Sequence, residues 1–271
     1  MPELPEVETI VQQLHKKVKD KTITKIEILD PKVVSAKIKQ SLNKKIKNVY
    51  RRGKIIIVEL SDKNYLTFHL RMTGHFHYYT NGKHPTSEAK LFSKFVVAKF
   101  YLSDGSILTH NSIRKFGSVK LMDQKELEKE SSKLGPEPLS KEFTLQKFAE
   151  ILSKKPKSNL KTFLMDQSQI AGIGNIYAQE ALYLAGINPN RKCNDISEKE
   201  IKKLYHELLK LLTLAISKHG TTVENYTHIE GSGGFQKYLT VYGKNKCPKG
   251  HLIKKIYLGQ RGTSYCEVCQ K

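Results

Sequence analysis

The hydrophobic periodicity of this chain changes twice along its length, and those changes limit the folds open to it. Between 5 and 19, apolar residues from Val7 to Val18 recur at helical spacing, with polar residues on the other face. The pattern then alternates with a period of two as far as about 122, and becomes helical again after 140. We therefore expect a helix, an antiparallel β domain of two packed sheets, and a helical domain, in that order.

Turn-forming residues separate the predicted elements. Asp104-Gly105 predicts a hairpin, and the segment 131–140 (SSKLGPEPLS), with two prolines and a glycine, predicts an interdomain linker. The predicted strands are 22–29, 46–51, 55–60, 65–71, 95–102, 107–110 and 119–122; the predicted helices are 144–153, 160–166, 175–185 and 197–218; the predicted polar loops are 80–88 and 221–234. The expected domains are 1–130, 141–240 and a hairpin tail at 241–271.

The charge balance points to a polyanionic partner. Lys and Arg number 47 against 26 Asp and Glu, a net charge of +21, which favours nucleic acid. The alternative is a lysine-rich surface that reflects compositional bias alone, but the cations cluster near candidate site residues. No run of 18 apolar residues and no signal peptide are found, so we expect a cytosolic protein without a membrane partner.

The cysteines predict a metal site in the tail. Cys247-Pro-Lys-Gly-His251 is followed, after fourteen residues, by Cys266-Glu-Val-Cys269. Two ligand pairs on tight turns suit one tetrahedral structural Zn²⁺, whose binding would supply the folding free energy of a module too small for a core. The alternative is free thiols with a surface histidine. Cys193 is distant in sequence, and we interpret it as a buried thiol.

The N-terminus carries a candidate nucleophile. Removal of Met1 from before the small residue Pro2 would expose a secondary amine, and an α-amino group titrates near neutrality. Such an amine can attack a sugar C1′ and form an iminium, while the neighbouring carboxylate of Glu3 can move protons. The alternative is an ordinary start followed by a helix that carries Pro5 in its first turn.

Three further patterns suit DNA. Met72 and the Arg114–Phe116 loop can enter a duplex and fill the space of an extruded nucleotide, although core packing is an equal alternative for Met72 and Phe116. The glycine-rich turn 171–177 (AGIGNIY) opens a helix, whose free N–H groups suit a phosphate. Lys54, at a strand edge in the basic run RRGK, either contacts a phosphate or joins the site around Pro2.

Together these motifs resemble the bacterial formamidopyrimidine-DNA glycosylase (Fpg, MutM) family over nearly the whole chain. The matching motifs, in family order, are PELPEVET (2–9), RRGK (51–54), HLRMTG (69–74), RKFG (114–117), LGPEPL (134–139), LMDQSQIAGIGNIYAQEAL (164–182), VYGK (241–244) and QRGT (260–263). Relatives that act on oxidised pyrimidines open with PEGPE, and Leu4 speaks against that branch.

The resemblance implies a β-sandwich N-domain, a helix–two-turns–helix domain and a zinc finger, in a monomer that binds damaged double-stranded DNA. It implies excision of oxidised purines (8-oxoguanine, formamidopyrimidines) and strand cutting by β,δ-elimination. The implied roles are nucleophile for Pro2, proton transfer for Glu3, β-elimination for Lys54 and δ-elimination for Arg261; the implied DNA contacts are His69, Met72, Arg114, Phe116, Lys157, Lys161, Asn175 and Tyr242. The loop 221–234 is expected to close over the extruded base.

The sequence departs from the family pattern at three places. His251 stands one residue after the family's usual second cysteine, Ser112 replaces a common aspartate, and no DNA-contacting histidine is found around 94–99.

Two alternatives remain besides the oxidised-purine enzyme. One is a non-enzymatic zinc-ribbon protein that binds nucleic acid, against which Pro2, Glu3 and Lys54 speak. The other is an enzyme with this scaffold that prefers oxidised pyrimidines.

Overall fold

The computed structural model describes residues 1–80, 93–222 and 229–271. These residues form two compact units, and neither is one continuous stretch of chain. The first unit comprises Met1–Pro2, Glu6–Ser132 and Thr221–Gly233; the second comprises Glu3–Pro5, Lys133–Gly220 and Gly234–Lys271. The division into three domains and a linker that the sequence suggests stays a prediction.

The first unit is a sandwich of two four-stranded antiparallel sheets. Its strands are β1 (Ile23–Ile28), β2 (Ile46–Arg52), β3 (Ile55–Leu60), β4 (Tyr65–His69), β5 (Gly74–Tyr79), β6 (Val96–Leu102), β7 (Ile107–Ser112) and β8 (Ser118–Met122). One sheet has the order β1-β6-β7-β5 and the other the order β2-β3-β4-β8. All pairs of neighbours are antiparallel.

Both sheets contribute to one apolar core. The rings of Phe68 on β4 and Phe76 on β5 meet edge to face, with centroids 5.1 Å apart. Helix α1 (Leu4–Val18) buries its apolar stripe in the same core, including Ile10 and Leu14. The helix predicted over 5–19 is thus found within one residue at each end, as periodicity over several turns allows.

Among the described residues of this unit, one strand and one α-helix lie outside the predicted elements. Strand β5 reads GHFHYY, and its buried histidines hide the apolar alternation. Helix α2 (Gln124–Ser131) begins with a capping box between Asp123 and Glu126 but buries one apolar side chain, Leu127, so it has no hydrophobic stripe. Strand β4 also ends two residues before the predicted limit, because Arg71 has a left-handed backbone with φ of 52°.

The second unit contains four helices and a β hairpin. The helices are α3 (Leu145–Ser153), α4 (Leu160–Met165), α5 (Asn175–Ala185) and α6 (Glu198–Ser217), and the strands are β9 (Lys254–Leu258) and β10 (Arg261–Tyr265). Helix α5 is buried on nearly all sides, with Tyr177 wholly inside the core, and Gly186 ends it in the left-handed conformation. The predicted β-sandwich with an N-terminal helix, helical domain and C-terminal hairpin is confirmed.

Two predicted loops fall partly outside the described residues. The prediction at 80–88 lies there from 81 onward, and that at 221–234 lies there for 223–228. Within the described ranges, no helix has both the length and the apolar character needed to cross a membrane.

Candidate active site

The carboxylate of Glu3 is held inside the second unit by the start of helix α5. The residue is 3% exposed. Its oxygens accept hydrogen bonds from the backbone N–H groups of Gly174 at 2.8 Å, Ile176 at 2.9 Å and Tyr177 at 3.3 Å. N–H groups in the first turn of a helix have no partner within the helix, and the helix dipole favours an anion there. The ionised, fixed form of Glu3 is therefore stabilised.

The glycines of the AGIGN turn make this close approach possible. A Cβ atom on Gly174 would lie 2.4 Å from Cδ of Glu3, and one on Gly172, where φ is +87°, would lie 2.8 Å from Cβ of Leu4. The N–H of Leu4 donates to the carbonyl of Gly172 at 3.0 Å. The sequence predicts that the N–H groups of this turn are free for a phosphate. That prediction is wrong, because Glu3 accepts three of them and Gln167 accepts that of Gly172.

A buried lysine lies in the electrostatic field of Glu3. Lys161, on α4, is 0% exposed, and its Nζ has no hydrogen-bond partner among the described residues. Burial and then the positive charge of Arg261 lower the pKa of Lys161 to about 8, against the opposing attraction of Glu3. Burial and then the charge of Glu3 raise the pKa of Tyr242. The structure thus brings together four predicted site residues of the second unit.

Side chains of α5 fix the hairpin that carries Arg261. The Nδ2 group of Asn175 and the Nε2 group of Gln179 donate to the carbonyl of Gly262 at 3.1 and 3.4 Å. The N–H of Ser264 donates to Oε1 of Gln179 at 2.6 Å. Asn175, predicted to contact a phosphate, therefore already positions the hairpin through its amide group. Gln179 was not predicted, and only its place one turn after Asn175 in the sequence could have indicated it.

A second unpredicted residue, Glu180, holds the segment around Tyr242. Its wholly buried carboxylate accepts the backbone N–H groups of Thr240 at 2.7 Å, Val241 at 3.0 Å and Tyr242 at 2.7 Å, together with the Thr240 hydroxyl. Glu180 is the one charged residue in the sequence of α5, and that is the signal that could have revealed it. Lys157, by contrast, lies exposed in the turn before α4.

The remaining predicted catalytic residues belong to the first unit. Pro2 is buried, and Lys54 is buried in the turn between β2 and β3, next to Gly53 with φ of 56°. Burial, then Arg71, then Lys54 lower the pKa of His69 to about 4, so this imidazole is neutral at pH 7. Its Nδ1 accepts the N–H of Arg71 at 3.2 Å, which leaves Nε2–H as a donor.

The three residues predicted to enter the duplex, Met72, Arg114 and Phe116, form one exposed cluster in the first unit. Met72 is 36% and Phe116 is 61% exposed. The guanidinium group of Arg114 lies 5.0 Å from the ring centroid of Phe116 and donates to Sδ of Met72 at 3.1 Å. The Thr73 hydroxyl fixes the backbone N–H of Arg114 at 2.9 Å. Core packing, the alternative for Met72 and Phe116, is therefore excluded.

The four predicted metal ligands converge in the tail. The ligand atoms of Cys247, His251, Cys266 and Cys269 all lie within 4.8 Å of one another. Nδ1 of His251 is 3.3 Å from Sγ of Cys269, 3.6 Å from Cys247 and 3.7 Å from Cys266. Donors at zinc distances of about 2.0–2.3 Å in a tetrahedron are roughly 3.5–3.8 Å apart, so the donor set fits.

Comparison with known proteins finds relatives that match this chain over its full length. The formamidopyrimidine-DNA glycosylase N-terminal domain matches residues 1–119, and the formamidopyrimidine-DNA glycosylase H2TH domain matches residues 134–227. Curated formamidopyrimidine-DNA glycosylases from Protochlamydia amoebophila and Streptococcus mutans are 40% and 36% identical, with complete coverage of both chains.

Solved structures show the same likeness. A variant of Lactococcus lactis Fpg in complex with DNA containing Fapy-dG is 34% identical with a TM-score of 0.88, over 100% of each chain. The Thermus thermophilus MutM (Fpg) protein is 32% identical with a TM-score of 0.87, over 99% of this chain and 98% of that one. The predicted resemblance is confirmed, and so is the interpretation of the chain as a DNA-repair enzyme, in preference to a non-enzymatic nucleic-acid binder. The chain belongs to the formamidopyrimidine-DNA glycosylase family.

Proposed function

We propose that this protein is a bifunctional DNA glycosylase and abasic-site lyase that excises 8-oxoguanine and formamidopyrimidines from duplex DNA. The observation that carries the proposal is the buried carboxylate of Glu3, fixed by three backbone N–H groups and covalently next to Pro2. A fixed anion beside a secondary amine suits chemistry that develops positive charge on the sugar and on the amine. The resemblance of the opening motif supplies the substrate class.

The nucleophile in this proposal is the amine of Pro2, free once Met1 is removed. It attacks C1′ of the extruded nucleotide as the bond between C1′ and the base breaks, and the base leaves with a proton. Opening of the sugar ring then gives an iminium between Pro2 and C1′. Glu3 exchanges the protons of these steps, and its negative charge stabilises the cation.

Strand cutting follows from the same intermediate. Loss of a proton from C2′ expels the 3′ phosphate, and a second elimination expels the 5′ phosphate, after which water releases the amine. Lys54 assists the first elimination and Arg261 the second, each by placing a positive charge near a departing phosphate. His69, neutral at pH 7, donates from Nε2 to a phosphate, and Lys157, Lys161, Asn175 and Tyr242 complete the backbone contacts.

The exposed cluster of Met72, Arg114 and Phe116 fills the space that the extruded nucleotide leaves in the duplex. A thioether and an aromatic ring can replace stacked bases, and the guanidinium group can bond to the opposite base edge. The metal of the tail cluster is Zn²⁺, which when bound supplies folding free energy to the hairpin that carries Arg261. The protein acts as a monomer on the DNA of the nucleoid. Its net charge of +21 suits this polyanionic partner.

Borohydride trapping on a duplex with one 8-oxoguanine tests the proposal. We expect a covalent adduct whose peptide map places the cross-link on Pro2, from protein whose intact mass lacks Met1. Glu3→Gln should lower the rate of base excision by about 10²–10⁴-fold, because general acid–base assistance is worth that much. Pro2→Gly should lose excision yet cut some preformed abasic sites, since a primary amine still attacks an aldehyde.

The decisive outcome is the identity of the trapped residue. If the adduct maps to Lys54 while Pro2→Gly remains fully active on 8-oxoguanine, Pro2 is not the nucleophile. A duplex containing an oxidised pyrimidine in place of 8-oxoguanine separates the two lesion classes, and faster excision of the pyrimidine would overturn the substrate assignment.

A further inference from the structure

Lys115 is the central residue of the loop between β7 and β8. Its backbone is left-handed, with φ of 54°. This conformation is unfavourable for a long side chain, so it persists only where surrounding contacts hold it. The residues on either side, Arg114 and Phe116, face each other, with the guanidinium group 5.0 Å from the ring centroid. Whatever holds Lys115 therefore also sets the direction in which these two side chains project.

The contact that holds Lys115 is an ion pair with Asp30. Nζ of Lys115 lies 2.8 Å from Oδ2 of Asp30, whose side chain is only 10% exposed. Oδ1 of the same carboxylate accepts the N–H of Lys32 at 3.0 Å. The hydrogen bond from Lys115 lowers the pKa of Asp30, against the opposing effect of burial, and the N–H of Lys32 adds to this lowering. The carboxylate is therefore ionised at pH 7 and makes a charge-assisted hydrogen bond to the loop.

Both sheets of the sandwich fix the backbone around Asp30. The N–H of Asp30 donates to the carbonyl of Val97 in β6 at 3.2 Å. Three residues later, the carbonyl of Val33 accepts the N–H of Val119 in β8 at 2.9 Å, and the N–H of Ser35 donates to the carbonyl of Val119 at 2.9 Å. Strands β6 and β8 belong to different sheets. The Asp30 carboxylate is therefore a fixed point against which Lys115 is held.

The loop has no carboxylate of its own. Its sequence, NSIRKFG at 111–117, contains no acidic residue. Ser112, which stands where many relatives have an aspartate, is wholly buried, and its hydroxyl has no hydrogen-bond partner within the described part of the chain. The carboxylate that this loop uses is that of Asp30, from the segment that follows β1.

We propose that Asp30 is a positioning residue, which holds the exposed cluster of Met72, Arg114 and Phe116 in the conformation that enters the duplex. This inference rests on the proposed function. Asp30 acts through Lys115 and needs no contact with DNA. A loop that is already in place loses less conformational entropy when the cluster fills the space of the extruded nucleotide, so entry into the duplex is faster.

The alternative role for Lys115 is a phosphate contact, and the two roles predict opposite effects of Asp30→Asn. If Lys115 contacts a phosphate, loss of the Asp30 charge frees the lysine and removes an anion that repels DNA, so entry and excision should become faster. If Asp30 positions the loop, both should become slower, while the affinity for undamaged duplex does not fall.

The test compares Asp30→Asn with Asp62→Asn in the full-length zinc-loaded protein. Asp62 is the matched control, because its carboxylate also pairs with a lysine, Lys44, at 3.3 Å and accepts the N–H of the residue two positions later. It lies beyond the end of β4 that is farther from the loop.

Entry is followed by stopped-flow fluorescence of 2-aminopurine, placed in the opposite strand next to the base that faces 8-oxoguanine. Asp30→Asn should slow both this signal and single-turnover excision roughly fivefold, as expected for the loss of one partly exposed ion pair. Asp62→Asn should change either rate by less than about twofold. Lys115→Met breaks the same contact from an exposed residue, so it should slow entry as Asp30→Asn does, whether or not the buried substitution perturbs folding.

A reversed ion pair separates positioning from a general loss of structure. Asp30→Lys alone brings two cations together and should be slower than Asp30→Asn. The double variant Asp30→Lys with Lys115→Asp restores the attraction, and aspartate tolerates a left-handed backbone, so it should excise 8-oxoguanine faster than Asp30→Lys.

Three results would overturn the positioning role: faster entry in Asp30→Asn, equal effects of the two asparagine variants, or a double variant no faster than Asp30→Lys. A wild-type protein that binds the duplex but neither excises 8-oxoguanine nor is trapped on it would instead overturn the proposed function.

Discussion

Replacement of Lys161 by methionine should stabilise the protein at pH 7, although Lys161 is a proposed DNA contact. The pKa of this buried amine falls to about 8 from its usual 10.5 because of burial and the charge of Arg261. At about 1.4 kcal/mol per pKa unit the full effect is roughly 3 kcal/mol, and the exposure of Arg261 to solvent reduces it to about 2–3 kcal/mol. Methionine has a similar length and no charge to desolvate.

The pH dependence gives the prediction its sign. Between pH 8 and 10.5 the unfolded chain binds more protons at Lys161 than the folded chain, so wild-type stability rises with pH across that window. The loss of stability that the buried charge of Lys161 causes is fully present below pH 8 and absent above pH 10.5. The advantage of Lys161→Met should therefore be largest at pH 7 and should shrink as the pH approaches 10.5.

Urea unfolding followed by circular dichroism, with saturating zinc at pH 7 and pH 10, measures this difference. Lys157→Met is the control, because Lys157 is exposed and its loss should change the free energy of unfolding by less than about 0.5 kcal/mol. A Lys161→Met protein less stable than the wild type at pH 7, or an advantage that does not change with pH, would refute the reasoning. The affinity of Lys161→Met for DNA should fall, because the variant lacks the amine whose charged form a phosphate would stabilise.

Three other predictions concern the affinity for DNA, the metal site and the glycine that lets Glu3 approach helix α5. If binding neutralises on the order of 6–10 phosphates, affinity measured by fluorescence anisotropy should fall about 10³–10⁵-fold between 50 and 200 mM salt, and a salt-independent affinity would contradict this. Cys266→Ser should release zinc by metal analysis and weaken DNA binding, and zinc-free but fully active wild-type protein would refute the site. Gly174→Ala should displace Glu3 and lower excision at least tenfold, whereas Gly262→Ala, where a Cβ meets nothing within 4 Å, should not.

The sequence was most informative where a local pattern carries the structure. Helix α1, every strand of the sandwich except β5, and the metal ligands follow from periodicity and spacing, because each depends on residues that are close in sequence. The exposure of Met72, Arg114 and Phe116 could be established only from the structure, since Met72 and Phe116 would pack equally well in a core. Left-handed backbones at Arg71 and Lys115, which no periodicity encodes, lie next to these residues in the chain.

The interior of the candidate site was the least predictable part. The turn at Gly172 and Gly174 has the composition of a phosphate-binding loop, but the anion that it holds is Glu3, 171 residues earlier in the chain. Lys161 resembles a surface residue in a sequence, and its burial depends on which distant segments cover it. Long-range partners of this kind are invisible to any window of neighbouring residues.

The division of the chain has a consequence for biosynthesis. The first unit includes Thr221–Gly233, and the second includes Glu3–Pro5. A ribosome therefore cannot release a finished first unit before about 233 residues have emerged, while residues 3–5, among the first to be made, wait for the second unit to appear. Neither half should be obtainable as a stable fragment by cutting the gene near codon 132, and loop closure over such separations should slow refolding of the intact chain.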